Sequence, residues 1–375
     1  MTRPKVYLST LLSVVSLCAS GCGTPPPSIP TATEWSLSEE LSIGSLHGEN
    51  GQPVFGWVTS VVGTPDGGVV VKDAQGPRLL HFSSTGDFLH EIGGEGEGPG
   101  EFRAISGLAV LPNGDFLVGE PRKGLLFFGP DGTPVSERRL PGDYVGDDPV
   151  AVSDGTVLIR TIGHRGPIDE RWDALHYVFV RFHLETGAID TLAPLEPYPQ
   201  TGLYRAPFHP QYHIAWRSDG SFVHGAGSED SLFLVESNDT TILHLGHPPQ
   251  RLPVPTWAIQ EIEEHRDWLE RRGNRSAPYY PEPPTELPSF ERVLISSWDE
   301  VWVQRAIAAD GGRVTYRMDV FDRRGTPVGH LPIPGGLVVH SVVGDDLWGV
   351  REGEFDEQYV IRAKVLRSFA GSSSS

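Results

Sequence analysis

Cysteine is almost missing from this chain: its 375 residues hold two, Cys18 and Cys22, both close to the N-terminus. A disulfide framework is therefore excluded for everything beyond residue 22, and the body must be stable through its packed core. Long charge blocks are missing too, and hydrophobic residues make up 38% of the chain, which excludes wholesale disorder. Long helical runs are few, whereas glycine occurs 44 times and proline 33 times, so an all-helical fold is excluded. Cations are scarce, 30 against 49 acidic residues, giving a formal charge of -19. Such a field repels phosphate backbones and anionic lipid, and no nucleic-acid partner is expected. No Gly-x-Ser-x-Gly elbow occurs, which argues against a serine hydrolase of that kind.

The N-terminus is the first positive signal. Residues 1–22 read MTRPKVYLSTLLSVVSLCASGC, with Arg3 and Lys5 ahead of an apolar stretch and small residues before Cys22. This is the pattern of an export signal, too short to span a bilayer. Its end, Ala19-Ser20-Gly21-Cys22, resembles the lipobox of bacterial lipoproteins, with Ala19 where leucine is usual. The resemblance implies diacylation of the Cys22 thiol, removal of residues 1–21, and an extracytoplasmic, membrane-anchored protein of the cell envelope. Residues 22–33 are proline-rich and polar, as a semi-rigid tether requires. Loss of Arg3 and Lys5 leaves the mature chain more acidic by two charges, and the tether holds that acidic body off the bilayer.

From Val54 onward one unit recurs: strand, Asp/Asn-Gly turn, strand, connection, strand, Gly turn, strand. The clearest pair is SVVGTPDGGVVVKDAQGPRLLHFSSTGDFLHEIG (60–93) against GLAVLPNGDFLVGEPRKGLLFFGPDGTPVSERRL (107–140). Asp-Gly and Asn-Gly supply the positive φ of a tight reversal. Four strands recurring at a period of about 40 to 50 residues indicate propeller blades. Weaker copies cover 149–195, 212–246 and 290–331, and a sixth begins at Leu337 with only three strands left. Residues 34–44 are expected to supply the missing strand and close the ring. The expected fold is all-β: a six-bladed propeller of four-stranded antiparallel blades over 34–368, closed by an N-terminal strand, with a disordered tail at 369–375. Residues 247–289 form one helical and proline-rich insertion between blades four and five. Within it Thr256 is expected to cap a helix reaching about Arg272, with Ala258, Ile262, His265 and Leu269 on its packed face and Gly273 as its stop.

The stretches GGEGEGPGEF (93–102), ISGLAVLPNGDFLVGE and FFGPDG resemble the six-bladed, NHL-repeat-like propellers of bacterial exported proteins and lipoproteins. So do PSFERVLISSWDEVWVQ, DVFDRRGTPVGHLPIP and DLWGVREGEFDEQYVIRAKV. The likeness covers nearly all of 54–366 and implies an architecture without a defined activity. NHL-type second strands often end in Ala-Asp, whereas Gly119-Glu120 and Val71-Lys72 stand there in this chain.

Chemistry-bearing motifs are sparse. The glycine run at 93–100 lacks the Walker spacing and carries Glu95, Glu97 and Glu101, so it reads as an inter-blade connection with Phe102 turned inward. His209 with His213, and His244 with His247, are pairs where zinc needs three or four ligands. Calcium-dependent propeller hydrolases and lactonases gather Glu, Asp and Asn oxygens in the channel. Asparagine occurs here four times, while Asp73 and Glu120, at the ends of second strands, are candidate ligands for a hard cation.

No cofactor is expected, with calcium entering only under the hydrolase or lactonase alternative. The leading expectation is a membrane-anchored binding module for a protein or small ligand; a structural envelope scaffold is the second alternative. Short turns fall on one face of the propeller, and the connections 163–175, 196–211, 247–289 and 305–313 on the other. Loops of that length are where sites are built, so Arg165, Arg171, Trp172, Tyr198, Tyr204, Arg205, His209 and Tyr279 are the candidate contacts. Two acyl chains, at about 0.8 kcal/mol per buried methylene, would hold the protein stably on a membrane. Cys22→Ser is therefore expected to release it from membranes in a fractionation assay, and membrane retention equal to wild type would contradict lipidation.

Overall fold

Short β-branched and aromatic runs separated by Gly turns cannot bury both faces alone, so they stack as sheets. The computed structural model describes residues 32–48, 51, 53–111, 113–140, 147–151, 155–164, 175–191, 206–236, 239–246, 251–274 and 280–368. Blade one comprises Val58–Gly63, Val69–Asp73, Arg78–Phe82 and Phe88–Ile92; blade two comprises Gly107–Val110, Phe116–Glu120, Gly124–Phe128 and Pro134–Arg138. Blade three is Asp147–Ala151, Thr156–His164, Leu175–His183 and Ile189–Thr191, and blade four Tyr212–Trp216, Phe222–Ala226, Ser231–Glu236 and Asp239–His244. Blade five is Arg292–Ile295, Val301–Asp310, Arg313–Phe321 and Pro327–Ile333. Blade six takes Leu337–Val343, Asp346–Glu352 and Gln358–Leu366 from the C-terminal end and Ser36–Ile43 from the N-terminal end. First strands of neighbouring blades touch from blade four through five, six, one and two to blade three, including those of blades six and one, and the six sheets stand in ring order. The protein is a six-bladed β-propeller.

The core lies between blades. Ile43, Val61, Val71, Phe82, Trp348 and Val360 fill the seam of blades six and one, and Val70, Ile92, Phe102, Phe116 and Phe128 that of one and two. Second strands such as Phe116–Glu120 and Val69–Asp73 are buried on both faces, while outermost strands such as Pro134–Arg138 and Ser36–Ile43 are largely exposed. The glycine run is the connection expected, with Phe102 fully buried and the Lys123 ammonium donating to the carbonyls of Gly98 and Glu101.

Short turns repeat one hydrogen-bond pattern. In blade four the Arg217 amide donates to Ser221 O and Gly220, at φ 83, closes the loop; in blade five Asp299 takes that glycine's place at φ 60. Its carboxylate accepts from the Ser218 amide and hydroxyl, both at 3.1 Å, and so ties the two blades at that face.

The ring closes where the sequence lacks a strand. Ser36–Ile43 pairs antiparallel with Gln358–Leu366, from Ser36 opposite Leu366 to Ile43 opposite Val360. Thr33, the last residue of the expected tether, is already paired: Thr33–Glu34 runs parallel to the outer strand of blade five, Thr33 beside Gly329. Between the two pairings Trp35 is buried against Trp302, and any side chain on Gly329 would meet its ring. The Arg367 guanidinium stacks on Trp35 and Trp298 and pairs with Glu300 at 2.6 Å.

Two local expectations are corrected. Thr256 is the first helical residue rather than the cap; Pro255 holds the cap position, and no side chain caps the helix α1 (Thr256–Arg271). Residues 305–313 are not a long loop but the top of a hairpin, because Gly311 and Gly312 both adopt positive φ, 56° and 80°, and reverse the chain in two residues. At the helix end, Gly273 (φ 60) and the Asn274 amide, which donates to Leu269 O at 3.0 Å, make the stop that the sequence predicts.

If the strap around Trp35 joins blades five and six, Trp35→Ala should cost about 3–5 kcal/mol in denaturant unfolding. Gly329→Ala, which forces the ring away, should also destabilise. Unchanged unfolding midpoints for both variants would show the strap to be dispensable.

Candidate functional site

Helix α1 lies in the connection from blade four to blade five, on the face opposite the short turns. Ala258, Ile262 and Leu269, spaced for one face, are buried as expected, and Ala258 packs with Val254, Leu287, Phe208 and Val314. Trp257, one position before Ala258, turns instead to the blade-five hairpin: its Nε1 donates to Gly312 O at 2.7 Å and its ring stays half exposed. A third element comes from the connection into blade four. Phe208 adopts φ 57, an unusual conformation for a bulky residue, and sets its ring 5.7 Å from that of Trp257 at 64°. Backbone strain of this kind, on the order of 1–3 kcal/mol, is found chiefly where function requires it.

These pieces enclose an open pocket of about 470 Å³ lined by Phe208, Trp257, Gly311, Gly312, Arg313, Val314 and Tyr316. The Tyr316 hydroxyl donates to Glu291 Oε1 at 3.1 Å, behind the pocket and beside the first strand of blade five. Loss of hydration raises the Glu291 carboxyl to about 7, against the opposing pull of the Tyr316 hydrogen bond and the Arg292 charge. Burial likewise pushes the Tyr316 phenol up, so it stays a donor throughout the neutral range. Nearby, burial and then the Arg292 charge depress the His340 imidazole to about 3, so it is neutral. Arg313, at the rim, is exposed and makes no ion pair among the described residues. A cleft with aromatic walls and a charged rim, backed by a buried carboxyl that titrates near neutrality, has the general make-up of a ligand site.

No known protein family matches the sequence, and no curated protein matches it. Among solved structures the chain is similar to a member of the DUF4221 family from Bacteroides vulgatus. The TM-score is 0.56 at 13% identity, over 90% of this chain and 99% of that one. It is also similar to a presumed exported protein of Bacteroides fragilis, with TM-score 0.55 and 14% identity over 90% and 100% of the two chains. The likeness is one of fold.

Of the contacts expected from the sequence, Arg165, Arg171, Trp172, Tyr198, Tyr204, Arg205 and Tyr279 lie outside the described residues, as does Cys22. His209 directly follows Phe208; burial holds its imidazole below the usual histidine range, and its Nδ1 is buried. The pocket residues Phe208, Trp257, Arg313 and Tyr316 and the carboxyl of Glu291 were not expected. The Gly311-Gly312 doublet was the available signal, since paired glycines favour a hairpin that would carry Arg313 to its tip.

The candidate calcium ligands are engaged within the chain. Burial alone would raise the Asp73 carboxyl, but the amides of Trp57, Gly56 and Gln75 and the Arg78 guanidinium hold it below the usual range. Glu120 Oε2 accepts from the amides of Arg122 and Lys123, both at 2.6 Å. Both therefore anchor connections between strands. No cluster of three or more metal-ligating side chains occurs among the described residues, and His247 lies outside them.

The Glu291 shift fixes a sign for stability. An unfolded glutamate loses its proton near 4.5 while the folded one keeps it to about 7. Stability is thus lost as pH rises across that window, by up to about 3 kcal/mol at an order-of-magnitude level. Glu291→Gln should stabilise the protein at pH 8 and leave it nearly unchanged at pH 4.5 in parallel urea titrations. An equal effect at both pH values would contradict the buried, proton-retaining carboxyl.

Proposed function

We propose that this propeller is an exported, lipid-anchored binding module of the cell envelope, and that the pocket between α1, the blade-five hairpin and Phe208 is where it binds. The observation that carries this reading is the assembly of that pocket from three separate segments, one of them held in a strained conformation. Exposed aromatics support the same face: Trp57, Trp257, Trp268 and Phe355 all lie on elements at the long-connection end, whereas Trp298 belongs to a short turn and Phe88 follows one. Such side chains dominate binding energy when a partner covers them.

The position of the termini supports the anchoring geometry. Ser36–Ile43 starts at the short-turn end, and the Thr33 hydroxyl donates to Ser368 O at 2.8 Å, so the described residues begin and end there. A tether from Cys22 would then join the propeller opposite the pocket and present the pocket to the surrounding medium. The resemblance to a presumed exported protein is in keeping with that location. The calcium-dependent hydrolase reading gains no support, because Asp73 and Glu120 are spent on backbone amides.

Full-length protein isolated from native membranes is expected to retain a bound molecule detectable by mass spectrometry after denaturation. Trp257→Ala should lose it while changing unfolding stability by less than about 1 kcal/mol, since Trp257 is half exposed. Equal retention by the variant would move the binding site elsewhere.

A further inference from the structure

Resting on the reading of this pocket as the binding site, we propose that its ligand is a small planar aromatic carboxylate. The ring would be held by Phe208, Trp257 and Tyr316, and the carboxylate by Arg313.

The polar groups of the pocket walls are already engaged within the protein. Trp257 has one donor, and it is given to Gly312 O; the Tyr316 hydroxyl is given to Glu291. Phe208 has none, and Val314 adds an apolar side chain to the lining. The walls thus present ring and alkyl surface whose polar ends are already satisfied, and an apolar ring can cover them without leaving a buried donor unpaired. Phe208 and Trp257 meet edge to face at 5.7 Å, a geometry that a third ring can extend.

Aromatic walls of this kind also suit a quaternary ammonium, and the acidic body would attract one. The charge at the rim decides against it. Among the described residues the lining includes one charged side chain, Arg313, and no carboxylate. Arg313 sits opposite Asp310 across the two-residue turn, yet no ion pair joins them, so the guanidinium is available to a ligand. Its planar fork matches a carboxylate with two parallel hydrogen bonds. A volume of about 470 Å³ is of the order that suits a ligand of one or two rings.

Isothermal titration of the detergent-solubilised full-length protein with four probes tests this: benzoate, indole-3-carboxylate, indole-3-carboxamide and trimethylphenylammonium. Indole-3-carboxylate is expected to bind about tenfold or more tightly than its carboxamide. Arg313→Gln should remove that preference by weakening the carboxylates alone, while Trp257→Ala should weaken carboxylate and carboxamide together. Equal affinity for the two indoles, or tightest binding of the ammonium, with sensitivity to Trp257→Ala kept, would overturn the anionic ligand and leave the pocket standing. Binding that ignores Trp257→Ala, or no binding of any probe at millimolar concentration, would overturn the assignment of the pocket as well.

Discussion

The structure depends on one pairing, that of Ser36–Ile43 with Gln358–Leu366. A propeller is a ring of sheets in which each blade covers a face of the next, and an open ring would expose a strand edge along with two apolar faces. Here the closing strand comes from the opposite end of the chain. Ile43 then completes the seam between blades six and one, and Trp35 the seam between five and six. With no cysteine beyond residue 22, nothing covalent assists this closure. Hydrophobic burial between blades and the Arg367 network over Trp35 do so instead.

Closure also separates two faces with different duties. At one, short turns tie blades together through side chains such as Asp299 to Ser218, and the described residues begin and end beside them. At the other, the fold tolerates added chain, because connections there are not required for the ring. The insertion uses that freedom: the start of α1 packs Ala258 and Ile259 with Ala306, Ala309 and Val314 of the blade-five hairpin and leaves Trp257 facing the turn at Gly311 and Gly312. Glu291 binds the same region to the axis of the ring. Its carboxyl meets Tyr316, a residue of the pocket, from a position next to the innermost strand of blade five.

The blades were legible because their turns are chemical: Asp-Gly and Asn-Gly demand reversal, and alternating apolar residues fix which faces pack. The closing strand was legible by deficit, since six units with one strand short require a seventh segment. The site was far less so. Phe208 at φ 57 has no sequence signature, because positive φ is written in glycine and asparagine and hardly ever in phenylalanine. Tyr316 and Glu291 are 25 residues apart, and their contact follows from strand pairing within the blade rather than from spacing. Phe208, Trp257 and Gly311 to Arg313 fall within the connections 196–211, 247–289 and 305–313, yet within them the pocket uses a helix start, a hairpin tip and a single strained loop residue, which residue type alone does not single out. The role of Asp73 and Glu120 was hidden for a related reason: they end their strands where backbone amides need acceptors, and that need is local.

The most direct measurement is the fluorine spectrum of 5-fluorotryptophan-labelled protein during titration with a small-molecule extract of the cell envelope. Trp257 reports the long-connection face and Trp298 the short-turn face, and both are solvent-exposed. Binding in the pocket predicts that the Trp257 resonance, assigned from the Trp257→Phe variant, shifts or broadens while that of Trp298 stays in place. A shift confined to Trp298, with Trp257 unmoved, would contradict the account.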